Sequence, residues 1–280
     1  MGADMTVARV FPRRTKATPT DDYAFIGDPG LFVPDNIDEV HVSVAFTWDL
    51  PEAERLAASW SRIAPVKIGG PATGMRGEEF IPGRYLRPGY VITSRGCPNH
   101  CWFCSVYTRE GELRELPIND GWNLTDDNIL ACSESHILAV FAMLSRQKER
   151  VQFTGGIEAK LLKPWHIELF KTVRPKQIFF AYDTPDDLSP LEEAARLFRE
   201  AEYGSRSILR CYVLIGYPGD MFSVAEHRLK TAMRLGFGPM AMLYRDVSGV
   251  TTPEWRRFQS LWARPRKIYA KNTETEVSDS

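Results

Sequence analysis

The stretch GYVITSRGCPNHCWFC, residues 89–104, decides the fold. It opens on an apolar, β-branched run, Tyr90 to Ser94, that reads as a strand, and the chain leaves that strand directly into a loop carrying three cysteines. Toward the C-terminus, short apolar runs alternate with amphipathic ones. The pattern predicts strands over 128–131, 151–154, 177–182, 209–215 and 240–244, and helices over 134–147, 165–173, 191–202 and 224–235. Strands that alternate with helices pair in parallel through right-handed crossovers. Six of them between residues 89 and 245 predict an α/β fold of the open, partial (β/α)6-barrel kind, too short for a closed eight-stranded barrel. Such folds carry their sites at the carboxyl ends of the strands. Four of these ends hold a signal: the cysteine loop, Gly155-Gly156, Asp183-Thr184 and Gly216-Tyr217-Pro218-Gly219.

Toward the N-terminus the pattern is smaller. Residues 72–88 are rich in Gly, Pro and Arg and read as a connector. Before them come a strand, His41 to Phe46, with Val42, Val44 and Phe46 on one face, a helix from Pro51 to Ile63, and a short strand from Pro65 to Ile68. Together these make one βαβ unit. Residues 1–39, with Pro12, Pro19, Pro29 and Pro34, are predicted to hold little regular structure. The chain therefore divides into an N-terminal extension (1–88), a core (89–250) and a C-terminal basic and aromatic helix with a frayed tail (251–280). In the last part Trp255, Phe258 and Trp262 are expected to be buried and the arginines solvated.

Composition sets outer bounds. The 280 residues carry 35 Lys plus Arg against 36 Asp plus Glu, a formal charge of -1, which excludes a globally basic nucleic-acid binder. Hydrophobic residues at 44% and charged residues at 25% describe a folded globular protein, not a disordered one. No apolar run approaches the roughly 18 residues that a membrane helix needs. The N-terminal segment, with Arg9, Arg13, Arg14 and Lys16, lacks the apolar stretch of a secretory signal. Five cysteines, an odd number, with three in one loop, argue against a disulfide framework and for a metal site in a reducing cytoplasm.

Cys97, Cys101 and Cys104 form a C-x3-C-x2-C pattern. Crowded thiolates suit zinc or an iron–sulfur cluster. Structural zinc asks for four protein ligands, and no fourth cysteine is near; His100 sits between two of the ligands. Cys132 and Cys211 lie in or beside predicted strands and read as buried, inert thiols. A cluster held by three thiolates keeps one iron open for another ligand. CPNHCWFC, placed directly after the first strand of a partial barrel, resembles the signature of the radical S-adenosylmethionine superfamily, with Phe103 in the aromatic position before the third cysteine. The resemblance covers residues 89–245. It implies a [4Fe–4S] cluster that chelates S-adenosylmethionine, and one-electron cleavage to a 5′-deoxyadenosyl radical that takes hydrogen from a substrate. It also implies an external one-electron reductant of the flavodoxin or ferredoxin kind, since no second cysteine cluster exists.

Further residues follow from the same resemblance. Gly155-Gly156 is similar to the family's Gly-Gly-Glu motif at the methionine end; here Ile157 takes the acid position and Glu158 follows it. Asp183 and Thr184 correspond to the polar position that meets the ribose or the methionine carboxylate. Ile215 and Gly216 correspond to the pair that packs and admits adenine, and Met242 to Tyr244 to backbone at the adenine edge. The 41–68 unit resembles the start of a cobalamin-binding domain, without the Asp-x-His-x-x-Gly pattern, so no cobalamin is expected. The catalytic residue and the substrate are not named by the sequence. Basic residues at both ends favour a nucleic acid or nucleotide. Tyr107, Arg109, Glu110, Trp122 and His136 are candidates near the mouth, and His166 and His227 are expected on helix surfaces. The alternative is a non-catalytic iron–sulfur or zinc-binding module.

Overall fold

Two parallel sheets organise the chain, which a computed structural model describes over residues 5–77 and 79–263. The first contains β1 (Val7–Phe11), β2 (Ala24–Ile26) and β3 (Glu39–Ser43), followed by helix α1 (Leu50–Trp60) and β4 (Val66–Gly69). Its order is β2-β1-β3-β4, with every pairing parallel. Pro51 starts α1 where a missing N–H costs nothing. The helix then buries Ala53, Leu56 and Trp60 with Val40, Val42 and Val44 in a small core of its own.

The second sheet begins with β5 (Tyr90–Val91). Then β6 (Ser94–Arg95), α2 (Val106–Glu110) and β7 (Arg114–Glu115) form an excursion whose neck is closed by antiparallel β6–β7 pairing. The main sheet continues with β8 (Asn123–Leu124), α3 (Glu134–Ser145), β9 (Gln152–Ile157), α4 (Pro164–Val173), β10 (Gln177–Ala181), α5 (Leu188–Glu200), β11 (Leu209–Ile215), α6 (Phe222–Arg234) and β12 (Gly238–Leu243). Its order is β12-β11-β10-β9-β8-β5, all parallel, so each strand lies beside its predecessor. Helix α7 (Pro253–Trp262) packs on β12, with Trp262 buried and Arg256 and Arg257 exposed as expected, while Trp255 and Phe258 are only half-buried; residues 264–280 lie outside the described residues. No helix among the described residues is long and apolar enough to cross a membrane.

The architecture is thus mixed α/β with parallel sheets, and no closed barrel is seen. Several expectations are corrected. Residues 1–39 hold two strands, because the prolines flank β1 and β2 instead of interrupting them. Arg9, in mid-strand, turns its guanidinium to the carbonyls of Gly83 and Arg84 in the connector and to Asp21. Strand β3 ends at Ser43, so Val40 and Val42 are its buried row, Val44 is buried just beyond its end, and Phe46 lies out in the following turn, exposed. The second core strand is 123–124. The apolar run at 129–131 is a 3-10 turn that buries Ile129 and Leu130, because Asp126, Asp127 and Asn128 bond away from the sheet. Gly155-Gly156 does not end its strand. It lies inside β9, where Ile178 faces Phe153 while Phe180 faces Ile157: a bulge, as glycines in strands often mark. His166 is buried, not surface; its Nδ1 accepts the Lys163 N–H at 2.9 Å and so closes the first turn of α4. His227 is exposed.

Candidate functional site

The site is built on the excursion between β6 and β7. Its neck is held three ways. Gly96 donates its N–H to Asp127 Oδ2 at 2.9 Å, the Cys97 N–H reaches the Gly111 carbonyl at 3.4 Å, and Leu116 N–H reaches the Thr93 carbonyl at 2.8 Å. Gly96 has φ +86, and a Cβ there would overlap the Glu112 carbonyl, so glycine is required where the loop leaves the sheet. Below the neck, Glu110 is buried among cations. It accepts from Arg114 at 2.8 Å, from Arg109 at 3.0 Å and from the Gly77 N–H, with Arg95 at 3.5 Å. Burial by itself would raise its pKa, but Arg114 and Arg109 hold it below the usual carboxylate range. The Glu110 cluster therefore fastens the end of α2 to the connector; it does not line an open mouth.

Within the loop, Cys97 is half-buried, and Cys101 and Cys104 are exposed. Burial raises the pKa of Cys101, and the neighbouring charges of Cys104 and Cys97 raise it further. Cys104 is raised first by burial and then by Cys97. Cys101 thus feels the charge of both other thiols, and Cys104 that of Cys97. Among the described residues no three His, Cys, Asp or Glu side chains converge to hold a single metal ion. The donor set is soft, three-fold and without a histidine, which fits an iron–sulfur cluster better than tetrahedral zinc. Cys132 and Cys211 stand apart. Both are buried, with the Cys132 thiol pushed up to about 11 by burial and Cys211 raised well above its ordinary value.

Three other strand ends meet the loop. After β8, Asn128 is 3% exposed and spans the gap: its Nδ2 donates to Glu158 Oε2 at 2.5 Å and lies 3.5 Å from Cys97 Sγ. Its Oδ1 is buried with no partner among the described residues. Sequence reading selected Cys97 and Glu158 but not the residue between them. Inside β9, Gly155 lies so close to the chain after β8 that a Cβ would overlap the Asp126 carbonyl; Gly156 takes φ +97. After β10, Asp183 Oδ1 accepts the Leu214 N–H at 2.9 Å, and burial pushes its pKa up to about 7. Its charge, with that of Asp187, acts on Cys101. Thr184 is engaged locally, its N–H and hydroxyl both reaching Asp187 Oδ2.

After β11 a brace that the sequence did not disclose holds the Gly216–Gly219 turn. Asp220 Oδ2 accepts the Gly216 N–H at 2.8 Å and pairs with Arg228 at 2.9 Å; Arg228 also donates to the Leu214 carbonyl at 2.8 Å. Ile215 is fully buried in the core beneath the edge. Gly216, at φ +72, lies under Leu243 and the Trp255 ring of α7. Finally, Trp102, 60% exposed at the loop tip, meets Phe103 edge-on at 5.3 Å, Tyr217 at 5.6 Å and Tyr244 at 5.7 Å. The loop that follows the first strand of the main sheet thus reaches the ends of the last two.

Asp126 underlies this edge. It accepts from the Thr93 N–H and hydroxyl and from the Ser94 hydroxyl at 2.6–2.7 Å, and burial pushes its pKa up to about 6. A carboxyl whose folded pKa exceeds its unfolded value of 3.8 keeps its proton better in the folded state. Stability from this group is therefore full below about pH 4 and is lost as pH rises through about 6. Asp126→Asn is expected to flatten the pH dependence of the urea midpoint over that window by the equivalent of about 3 kcal/mol. An unchanged slope between the two proteins would overturn this assignment.

No protein-family model matches this chain, and no curated protein matches it.

Proposed function

We propose that the chain is a radical S-adenosylmethionine enzyme with one [4Fe–4S] cluster, built on a partial (β/α)6 barrel. The observation that carries this reading is the C-x3-C-x2-C triad of Cys97, Cys101 and Cys104 in a loop stapled at its neck, at the carboxyl edge of a sequentially ordered parallel sheet. The Trp102 contact with Tyr217 and Tyr244 supports a sheet that curls toward the loop. A cluster held there would pass one electron from an external donor to the sulfonium of S-adenosylmethionine, the chemistry of reductive cleavage for hydrogen abstraction.

The chain's own part is to bind and orient. Cys97, Cys101 and Cys104 would hold iron. The bulge at Gly155-Gly156 leaves backbone unshielded for the methionine carboxylate, and Glu158, tied to Asn128, offers a carboxylate to its amine. Asp183 is placed to accept from ribose hydroxyls. Ile215 and Gly216 would back the adenine through the braced turn. Trp102 and Phe103 screen the centre from water. The corresponding setting is the cytoplasm, with an external flavodoxin- or ferredoxin-like donor. A nucleic acid or nucleotide substrate draws support from exposed Arg14 and Lys16.

The test is anaerobic reconstitution with iron and sulfide, reduction, and electron paramagnetic resonance with and without S-adenosylmethionine. Expected are a cluster signal that changes on adding S-adenosylmethionine, and release of 5′-deoxyadenosine. Stoichiometric zinc without sulfide would instead favour a non-catalytic metal module.

Asn128 gives a finer test. An N–H directed at a ligand sulfur favours the reduced cluster. Asn128→Leu is expected to retain iron and sulfide but to lower the midpoint potential by some tens of millivolts, about 30 mV per 0.7 kcal/mol for one electron. An unshifted potential would remove Asn128 from the cluster's surroundings.

A further inference from the structure

At the opposite pole, where β9, β10 and β11 begin, lies a cavity of about 380 Å³ lined by Arg150, Lys171, Arg174, Pro175, Tyr203 and Ile208. Pro175, Ile208 and the Tyr203 ring supply apolar lining, and the other three residues bring positive charge. Lys171 shares its charge with Glu168 at 2.9 Å. The guanidiniums of Arg150 and Arg174 have no ion pair or hydrogen bond among the described residues. The Tyr203 hydroxyl is buried and also lacks a partner among them. Arg150 and Arg174 are close enough to act on that phenol, pulling against the burial that raises its pKa. The non-glycine residues with left-handed backbone among the described ones, Arg174 at φ 46 and Glu202 at φ 50, both stand here, the second directly before Tyr203. Such conformations cost about 1 kcal/mol each and cluster where a ligand is held.

The negative end of the α4 dipole accounts for cations at Lys171 and Arg174. It does not account for Arg150, on another segment, or for a buried hydroxyl left without an acceptor or donor, an arrangement that is itself destabilising. We propose that this cavity binds a phosphate monoester with a flat apolar body, of the size of a nucleoside monophosphate. Two unpaired guanidiniums balance a phosphate dianion and match its oxygens in forked geometry. The Tyr203 hydroxyl adds a neutral donor. The apolar floor takes the planar part, and the volume falls in the range of small-molecule sites. The site lies away from the cysteine loop and does not rest on the iron–sulfur reading.

Titration calorimetry of the full chain with adenosine 5′-monophosphate, adenosine and inorganic phosphate tests this. The monophosphate is expected to bind at least about tenfold more tightly than either fragment. Arg174→Gly removes the guanidinium yet suits the left-handed backbone, so it should weaken binding about tenfold while melting no earlier than the parent. Arg150→Gln, at an exposed position, should weaken it similarly and serves if Arg174→Gly fails to fold. Tyr203→Phe should weaken binding about threefold or more while leaving the unliganded protein as stable or more so, since the orphaned hydroxyl is gone. A monophosphate that binds no better than phosphate or adenosine overturns the proposal. So does binding that survives the Arg174 and Arg150 changes, which would place the ligand elsewhere on the chain.

Discussion

Cys101→Ala is expected to leave a folded chain that, after anaerobic reconstitution, retains neither iron nor acid-labile sulfide above background. Cys101 is exposed at the loop and buries little on folding, so its loss removes a ligand without opening a cavity. Formation of 5′-deoxyadenosine should fall at least about a thousandfold, because the hard chemistry belongs to the cofactor and no protein group replaces it. The control is Cys132→Ala. That thiol is buried, and its loss should cost about 1 kcal/mol of stability while keeping the cluster intact. Iron and sulfide measurements on the two variants decide the matter. Equal retention in both would sink the ligand assignment, and loss in both would mean that Cys132 is also needed.

The second large effect lies in the brace after β11. The Asp220 side chain is 0% exposed and that of Arg228 5%. Asp220→Ala leaves Arg228 charged in the interior with no carboxylate, held by the Leu214 carbonyl and the Tyr217 hydroxyl alone, and leaves the Gly216 N–H without its acceptor. Breaking one side of such a pair costs about 3–5 kcal/mol, a large share of a domain's stability. Urea unfolding followed by circular dichroism should show the midpoint falling accordingly. A loss below about 1 kcal/mol would mean that water enters and solvates Arg228, as at a surface pair. The same substitution frees the Gly216 turn beneath Trp255, so on the proposed reading it would also weaken S-adenosylmethionine binding in whatever fraction stays folded.

Local pattern carried much of the main sheet. Strand β11, LRCYVLI, is a continuous apolar run as buried parallel strands are, and it stands at 209–215 as read. The helices α3 to α6 follow their apolar spacing to within a few residues at each end. The cysteine loop's place after β5 was legible, because the apolar run before it and the three cysteines in it are local features of the sequence. What escaped was set by contacts distant in sequence. Strand β1 looked like loop because of the prolines around it, and its Arg9 is explained only by the connector's carbonyls at 83 and 84. The strand at 123–124 is so short that the neighbouring Ile129-Leu130-Ala131 outweighed it. Asn128 is an ordinary loop asparagine until the fold brings Glu158 and Cys97 to it. His166 reads as a helix-surface residue until its ring is seen turned back onto the Lys163 N–H.

Trp102 has a consequence in time. The strands of the main sheet are laid down in order, each beside the last, so the sheet can grow as the chain leaves the ribosome. The cysteine loop is made early, whereas Tyr217 and Tyr244, which meet Trp102, arrive more than a hundred residues later. Until β11 and β12 have paired, the three thiols stand open on that side. On the proposed reading that interval is when iron and sulfide would reach the nascent loop, before completion of the last strands brings Tyr217 and Tyr244 against Trp102.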